Sequence, residues 1–197
     1  MGMRRTKTKI SPQAILSVAE DLFSSKGYKG TSITDISKRL KVSKPALYYH
    51  FKNKMEILEN LYSKTVEQLS SSFEEVMNRD LSPDEKFKKL IENQVNIVAK
   101  NAKLVKIYFG DYKEFPRKIR FEIREKRKRF NEKWVDLYRE GMNAGLFQKT
   151  DPKIAVYMIV GACNWIQMWY SRGGELRESE LANMVADLLS KGFLTRR

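Results

Sequence analysis

Apolar residues recur every three or four positions along nearly the whole chain, with no strand-like alternation, so the pattern predicts helices throughout. Ala14, Ile15, Val18, Ala19, Leu22 and Phe23 form a first stripe, opened by Ser11–Pro12 and closed at Lys26–Gly27. Thr31 or Ser32 caps a second helix whose inner face is Ile33, Ile36 and Leu40, with Asp35 near the positive end of its dipole. Ser43 opens a short third segment, Lys44 to Phe51. Pro45 is tolerated there because first-turn N–H groups have no helical partner. A long fourth helix is expected from Lys54 to Asn78, and Ser82-Pro83-Asp84-Glu85 has the capping-box pattern for a fifth. A sixth covers Ala102–Asp111, and a seventh runs from Phe115–Pro116 to Asn143, closed by Gly145. The eighth spans Ile154 to Tyr170 before Gly173–Gly174, and the ninth spans Ser179 to Lys191. The expected fold class is all-α, with nine helices.

The second and third helices are short, joined by a tight turn, and the third is polar at its start. That is the outline of a helix-turn-helix, whose second helix enters the major groove. Such pairs also occur in proteins that bind no DNA, so the charge distribution matters. The net charge is +14, and residues 1–54 hold 12 Lys/Arg against Glu20, Asp21 and Asp35, a balance of +9. Residues 55–130 contribute +4 and residues 131–197 only +1. A basic small module is the electrostatic footprint of phosphate-backbone binding. We therefore divide the chain into a DNA-binding domain over 1–54 and a helical ligand-binding and dimerisation domain over 55–197. Arg4, Arg5, Lys7 and Lys9 fit either a minor-groove arm or a solvated tail.

Composition excludes several classes. No run of about 18 apolar residues exists to span a membrane, and the basic start lacks the apolar stretch of a secretory signal. Cys163 and His50 each stand alone, which leaves too few soft ligands for zinc and points to a reducing, cytoplasmic setting. No glycine-rich phosphate loop and no nucleophile–base pair suggests an enzyme, and no cofactor is implied.

Gly27-Tyr28-Lys29-Gly30-Thr31-Ser32-Ile33-Thr34-Asp35-Ile36, followed by Val42-Ser43-Lys44-Pro45-Ala46-Leu47-Tyr48-Tyr49-His50-Phe51-Lys52-Asn53-Lys54, strongly resembles the TetR family of repressors. The resemblance covers about residues 10–60. It implies that Thr31 and Ser32 lie at the DNA-facing cap, and that Ser43, Lys44, Pro45 and Ala46 form the base-facing start of the recognition helix. It also places Tyr48, Tyr49 and His50 at phosphates or thymine methyls, and Lys54 where the next helix N-terminus meets a phosphate. Leu47 and Phe51 are expected in the core, while Tyr48 suits packing or contact. The turn position that is usually glycine is Lys41 here, at a cost of about 1 kcal/mol if its φ is positive.

The remaining helices carry three aromatic clusters: Tyr108, Phe109 and Tyr112; Phe121, Phe130, Trp134 and Tyr138; Trp165, Trp169 and Tyr170. Any one of these suits core packing, but together they exceed what one small core needs. We take Tyr108, Phe109, Tyr112, Phe130, Trp134, Asn164, Trp165 and Met168 as candidate ligand residues. The eighth helix is apolar on nearly every side, and the ninth shows Leu181, Met184, Val185, Leu188 and Leu189. Together they suit a symmetric four-helix interface in a homodimer, with two recognition helices on a palindromic operator. Asn164 needs a hydrogen-bond partner there, either from the protein or from a ligand.

Trp134-Val135-Asp136-Leu137-Tyr138-Arg139-Glu140-Gly141-Met142, then Asp151-Pro152 and Gly161-Ala162-Cys163-Asn164-Trp165, loosely resembles the acyl-CoA-responsive branch of that family. The resemblance implies a repressor of fatty-acid degradation genes, released from DNA by a long-chain acyl-CoA. Arg120 and Arg127, among the cations of the seventh helix, suit the coenzyme phosphates, although Glu122, Glu125 and Glu132 interleave as on a solvated face. Two rivals remain at this point. A non-specific DNA packer would not need the tryptophan-rich half. A sensor of hydrophobic or cationic drugs controlling an efflux gene would use acids such as Asp111, Glu114 and Asp136.

Overall fold

The computed structural model describes residues 10–171 and 173–193, without the side chains of Asp111, Glu114 and Phe193. The basic residues Arg4, Arg5, Lys7 and Lys9 lie outside the described residues. Among those described, nine α-helices follow one another, and there is no sheet. They are α1 (Pro12–Gly30), α2 (Ile33–Leu40), α3 (Lys44–Tyr48), α4 (Lys54–Met77) and α5 (Pro83–Lys100). Then come α6 (Ala102–Asp111), α7 (Arg117–Asn143), α8 (Pro152–Trp165) and α9 (Glu178–Phe193). The chain divides into two compact units, one ending at Ser63 and one starting at Lys64, so the division falls inside α4.

In the first unit the Ser11 hydroxyl accepts from the Ala14 N–H at 3.2 Å and starts α1. The backbone breaks at Gly27 (φ 74, ψ 161), a conformation that residues with a Cβ avoid. Of the two possible caps for α2, Ser32 takes the role. Its hydroxyl accepts from the Asp35 N–H at 3.1 Å, and its own N–H donates to the Asp35 carboxylate at 2.8 Å. Hydrogen bonds from the Ser32 hydroxyl and N–H hold the Asp35 carboxyl below the usual carboxylate range. Helix α2 ends at Lys41 in the left-handed region (φ 55, ψ 39). Ile15, Ala19, Phe23, Ile36, Leu47 and Phe51 are buried, so the first three helices close on a small core of their own.

The second unit is built around α5, which buries Phe87, Leu90, Ile91, Gln94, Val95, Val98 and Ala99. Trp134, Leu137 and Tyr138 of α7, Val156 and Cys163 of α8, and Leu181 and Ala186 of α9 complete that core. After α7 the chain turns at Gly145 (φ 72) and sends Phe147 back onto Gly141. A Cβ at Gly141 would stand 2.4 Å from the Phe147 ring. Helix α8 is shorter than the sequence pattern suggests, ending at Trp165 in a 3-10 turn over Ile166–Met168. Its inner face is Val156, Ile159, Val160 and Cys163, while Ile154, Met158 and Trp165 are exposed on this chain. Burial pushes the Cys163 thiol up to about 12.

Two substitutions test the backbone. Lys41→Gly is expected to raise stability by about 1 kcal/mol by relieving the left-handed residue. Gly141→Ala is expected to lower it by about 1–3 kcal/mol, because the buried Phe147 ring has no room to withdraw. Urea unfolding followed by circular dichroism measures both.

Candidate nucleic-acid interface and effector cleft

Leu47 and Phe51 point into the first unit's core and thereby turn their neighbours outward. Ser43, Lys44 and Pro45 are exposed at the start of α3, Ala46 and His50 are half-buried, and Tyr48 and Tyr49 are exposed at 51% and 85%. Ser43 occupies the N-cap position without making the cap hydrogen bond, so its hydroxyl is not committed to the helix end. The Tyr49 ring meets the His50 imidazole edge-on, with centroids 5.0 Å apart. A tyrosine left this open on a short helix, beside a lysine, gives a polar, cationic and aromatic ridge.

Two residues placed at the DNA by the resemblance do other work here. Thr31 is 1% exposed, and its hydroxyl donates to the carbonyls of Gly27 at 2.9 Å and Leu22 at 3.1 Å. It fastens the loop between α1 and α2. The Lys54 ammonium is turned inward, donating to the carbonyls of Tyr28 at 2.6 Å and Thr31 at 2.7 Å and lying 4.1 Å from the Tyr28 ring centre. Burial, and then the charge of Glu59, push the Tyr28 phenol pKa up. Lys54 therefore ties the α1–α2 loop to the first turn of α4. Ser32, also placed at the DNA, remains exposed with its hydroxyl engaged in the α2 cap.

The second unit holds a cleft of 730 Å³ between α7 and α8. Helix α7 contributes Arg124, Glu125, Arg127, Lys128 and Asn131. Helix α8 and the turn after it contribute Tyr157, Val160, Gly161, Asn164, Trp165, Gln167 and Met168, and α6 adds Phe109. Phe109, Arg127, Asn164, Trp165 and Met168 are thus brought together as the sequence suggested. Tyr108, Tyr112, Arg120, Phe130 and Trp134 do not line the cleft. Trp134 is 1% exposed and packs edge-on to Phe87, and Phe130 packs on Phe73. Tyr108 and Tyr112 meet edge-on, and the Arg120 guanidinium donates to the Lys113 carbonyl at 3.3 Å.

The reason lies in the phase of α7. Ile123, Phe130, Trp134 and Leu137 form its core stripe, while Arg124, Arg127, Lys128 and Asn131 form a second stripe facing α8. Asn131, Tyr157, Val160, Gly161 and Gln167 were not picked from the sequence. Their signal was spacing: 124–127–128–131 on one helix and 157–160–161–164 on the other repeat at three and four residues. The Asn164 carbonyl oxygen finds its partner in Gln94, whose Nε2 donates to it at 3.0 Å. Glu125 stands among three cations, with the Arg124 Nε 3.6 Å from its carboxylate. Among the described residues no group of three His, Cys, Asp or Glu side chains gathers as a metal site. No helix there is long and apolar enough to cross a membrane.

Comparison with known proteins gives a consistent pattern. Residues 15–61 match the bacterial regulatory proteins of the tetR family, and residues 80–193 match the tetracyclin repressor-like C-terminal domain. The HTH-type transcriptional repressor KstR2 of Mycolicibacterium smegmatis is 25% identical over 181 residues, covering 91% of this chain and 88% of that protein. The fatty acid metabolism regulator protein of Bacillus subtilis is 23% identical over 91% of this chain and 93% of its own. The structure of AibR in complex with isovaleryl coenzyme A and operator DNA matches with a TM-score of 0.79 and 22% identity. The match covers 90% of this chain and 96% of that one, and shows a shared fold.

The inward lysine yields a direct test. Lys54→Met keeps the length of the side chain but removes the donors, taking the ammonium from both the Tyr28 and the Thr31 carbonyls. It is expected to destabilise the first unit by about 1–3 kcal/mol, read as earlier thermal unfolding and faster proteolysis of the N-terminal segment.

Proposed function

The chain belongs to the TetR family of bacterial regulatory proteins, and on that footing we propose a repressor that holds a near-palindromic operator as a homodimer and releases it when an acyl-CoA fills the α7–α8 cleft. The observation that carries the effector assignment is the cleft's two-sided chemistry. Arg124, Arg127 and Lys128 supply cations on one wall, and Phe109, Tyr157, Val160, Trp165 and Met168 supply an apolar surface on the other. Phosphates favour guanidinium groups, which bind them in pairs of hydrogen bonds, and an acyl chain favours the apolar wall. One relative is described as a regulator of fatty acid metabolism, and one structural neighbour is bound to an acyl-CoA, which supports the same class of effector. Fatty-acid degradation genes are the corresponding targets.

The homodimer rests on an apolar face that one chain leaves open. Ile154, Met158, Trp165 and Trp169 on and after α8, with Met184 and Leu188 on α9, are each more than half exposed. Contiguous exposed apolar faces of this kind are what twofold-symmetric pairing buries. DNA contact is assigned to Ser43, Lys44, Pro45, Ala46, Tyr48, Tyr49 and His50. A sensor of cationic drugs is disfavoured, because Glu125 is outnumbered three to one by cations on the cleft wall.

Lys44→Ala and Tyr49→Ala are each expected to weaken operator binding about tenfold or more at fixed salt, with unchanged melting curves. Wild-type affinity in both variants, measured by mobility shift, would remove the DNA-reading assignment. Long-chain acyl-CoA is expected to change tryptophan fluorescence and release the operator. The Arg124→Ala/Arg127→Ala double variant should need about ten times more of it. A cationic dye that releases the operator where acyl-CoA does not would overturn the effector class.

A further inference from the structure

Three carboxamide side chains line the cleft: Asn131 on α7, Asn164 on α8 and Gln167 in the turn that follows. A fourth, Gln94 on α5, holds Asn164 from behind through the 3.0 Å hydrogen bond to its carbonyl oxygen. These are not surface amides. Asn131 is 5% exposed, Gln167 8% and Gln94 4%. The Gln167 Oε1 and the Gln94 Oε1 are both shut off from solvent and accept no hydrogen bond. Buried carbonyl oxygens without a donor are rare in folded proteins, because desolvation is then uncompensated. A purely hydrocarbon ligand would be served by leucine or methionine at these positions, as it is by Val160 and Met168 beside them.

Resting on the acyl-CoA reading above, we propose that Asn131, Asn164 and Gln167, with Gln94 as the positioning residue behind Asn164, form a specificity element that recognises a hydroxyl group on the acyl portion of the effector. The anionic end of such a ligand is already provided for by Arg124, Arg127 and Lys128, which leaves the amides for the acyl part. A hydroxyl both donates and accepts, so it satisfies whichever end of a carboxamide faces it. With the Gln167 amide turned about its terminal bond, its orphaned oxygen can accept from the O–H, while the hydroxyl oxygen accepts from the Asn164 amide, whose N–H groups bond none of the described residues. An unsubstituted methylene chain does neither, and would bury the amides a second time without a partner. Sites built to bond a hydroxyl reject the analogue lacking it far more strongly than apolar pockets reject an extra methylene.

The test uses the full chain and three thioesters of one length: octanoyl-, β-hydroxyoctanoyl- and ω-hydroxyoctanoyl-coenzyme A, with free coenzyme A alongside. Calorimetric titration is expected to show at least one hydroxyacyl ester binding about tenfold or more tighter than octanoyl-coenzyme A. Gln167→Leu is expected to bring that ratio to about one, and Gln94→Leu to lower it by freeing Asn164. Operator binding without effector, together with the melting curve, checks that each variant is folded. If a variant fails to fold, the wild-type ratio alone decides. Equal binding of the three esters would overturn the inference and leave the acyl-CoA reading standing, with ordered water completing the amides. A ratio that survives Gln167→Leu in a folded protein would overturn it as well. If none of the esters binds while the operator still does, the effector class itself falls, and this inference falls with it.

Discussion

The ring of Phe87, wholly buried on α5, stands edge-on to Trp134, Tyr138 and Phe147 with centroids 5.2, 5.6 and 5.3 Å away. Edge-to-face contacts of this kind are directional, so they fix how α7 is rotated about its own axis. Once Trp134 and Tyr138 must face α5, the residues one to three turns earlier have no choice of side. Arg124, Arg127, Lys128 and Asn131 are left facing α8, and the cleft wall is a consequence of the core's phase. Gly141 belongs to the same constraint, since only a residue without a side chain lets Phe147 close the cluster.

The first unit solves a smaller version of this problem with polar groups. Its core is too small to fix every loop, and the chain between α1 and α2 is held by hydrogen bonds instead. The Thr31 hydroxyl and the Lys54 ammonium each bond two main-chain carbonyls. With that loop tied down, Leu47 and Phe51 settle inward, and the outward ridge of α3 follows. A stiff backing behind a short recognition helix matters, because five residues are too few to be stable through helix propensity.

Much of this was legible in the sequence where the signal is local. Ser11, Ser32, Ser82 and Asp151 mark helix starts through chemistry confined to three or four residues, and each of those helices begins there. The resemblance marked Lys41 as standing where glycine is usual and left its φ open; the residue takes the positive value. What periodicity does not carry is which of two apolar faces meets which neighbour. Trp134 lies on a charge-rich helix and Trp165 on one apolar nearly all round, yet the first is in the core and the second is exposed. The same limit applies to Lys54, whose partners are more than twenty residues away. A cation at a helix start reads as a phosphate ligand until the carbonyls that claim it are seen. Gln167 was missed for a third reason: α8 tightens into a 3-10 turn before reaching it, which shifts its direction from that of a continuous α-helix.

The burial of Cys163 has a practical corollary. Burial pushes the thiol up to about 12, so the reactive thiolate is scarce at pH 8, and the side chain itself is wholly buried. It is the chain's single cysteine, so the native protein is expected to react slowly with maleimides and mild oxidants. A cysteine introduced on the exposed ridge of α3 would accept a fluorophore or spin label alone, turning the recognition helix into an addressable reporter of its own occupancy.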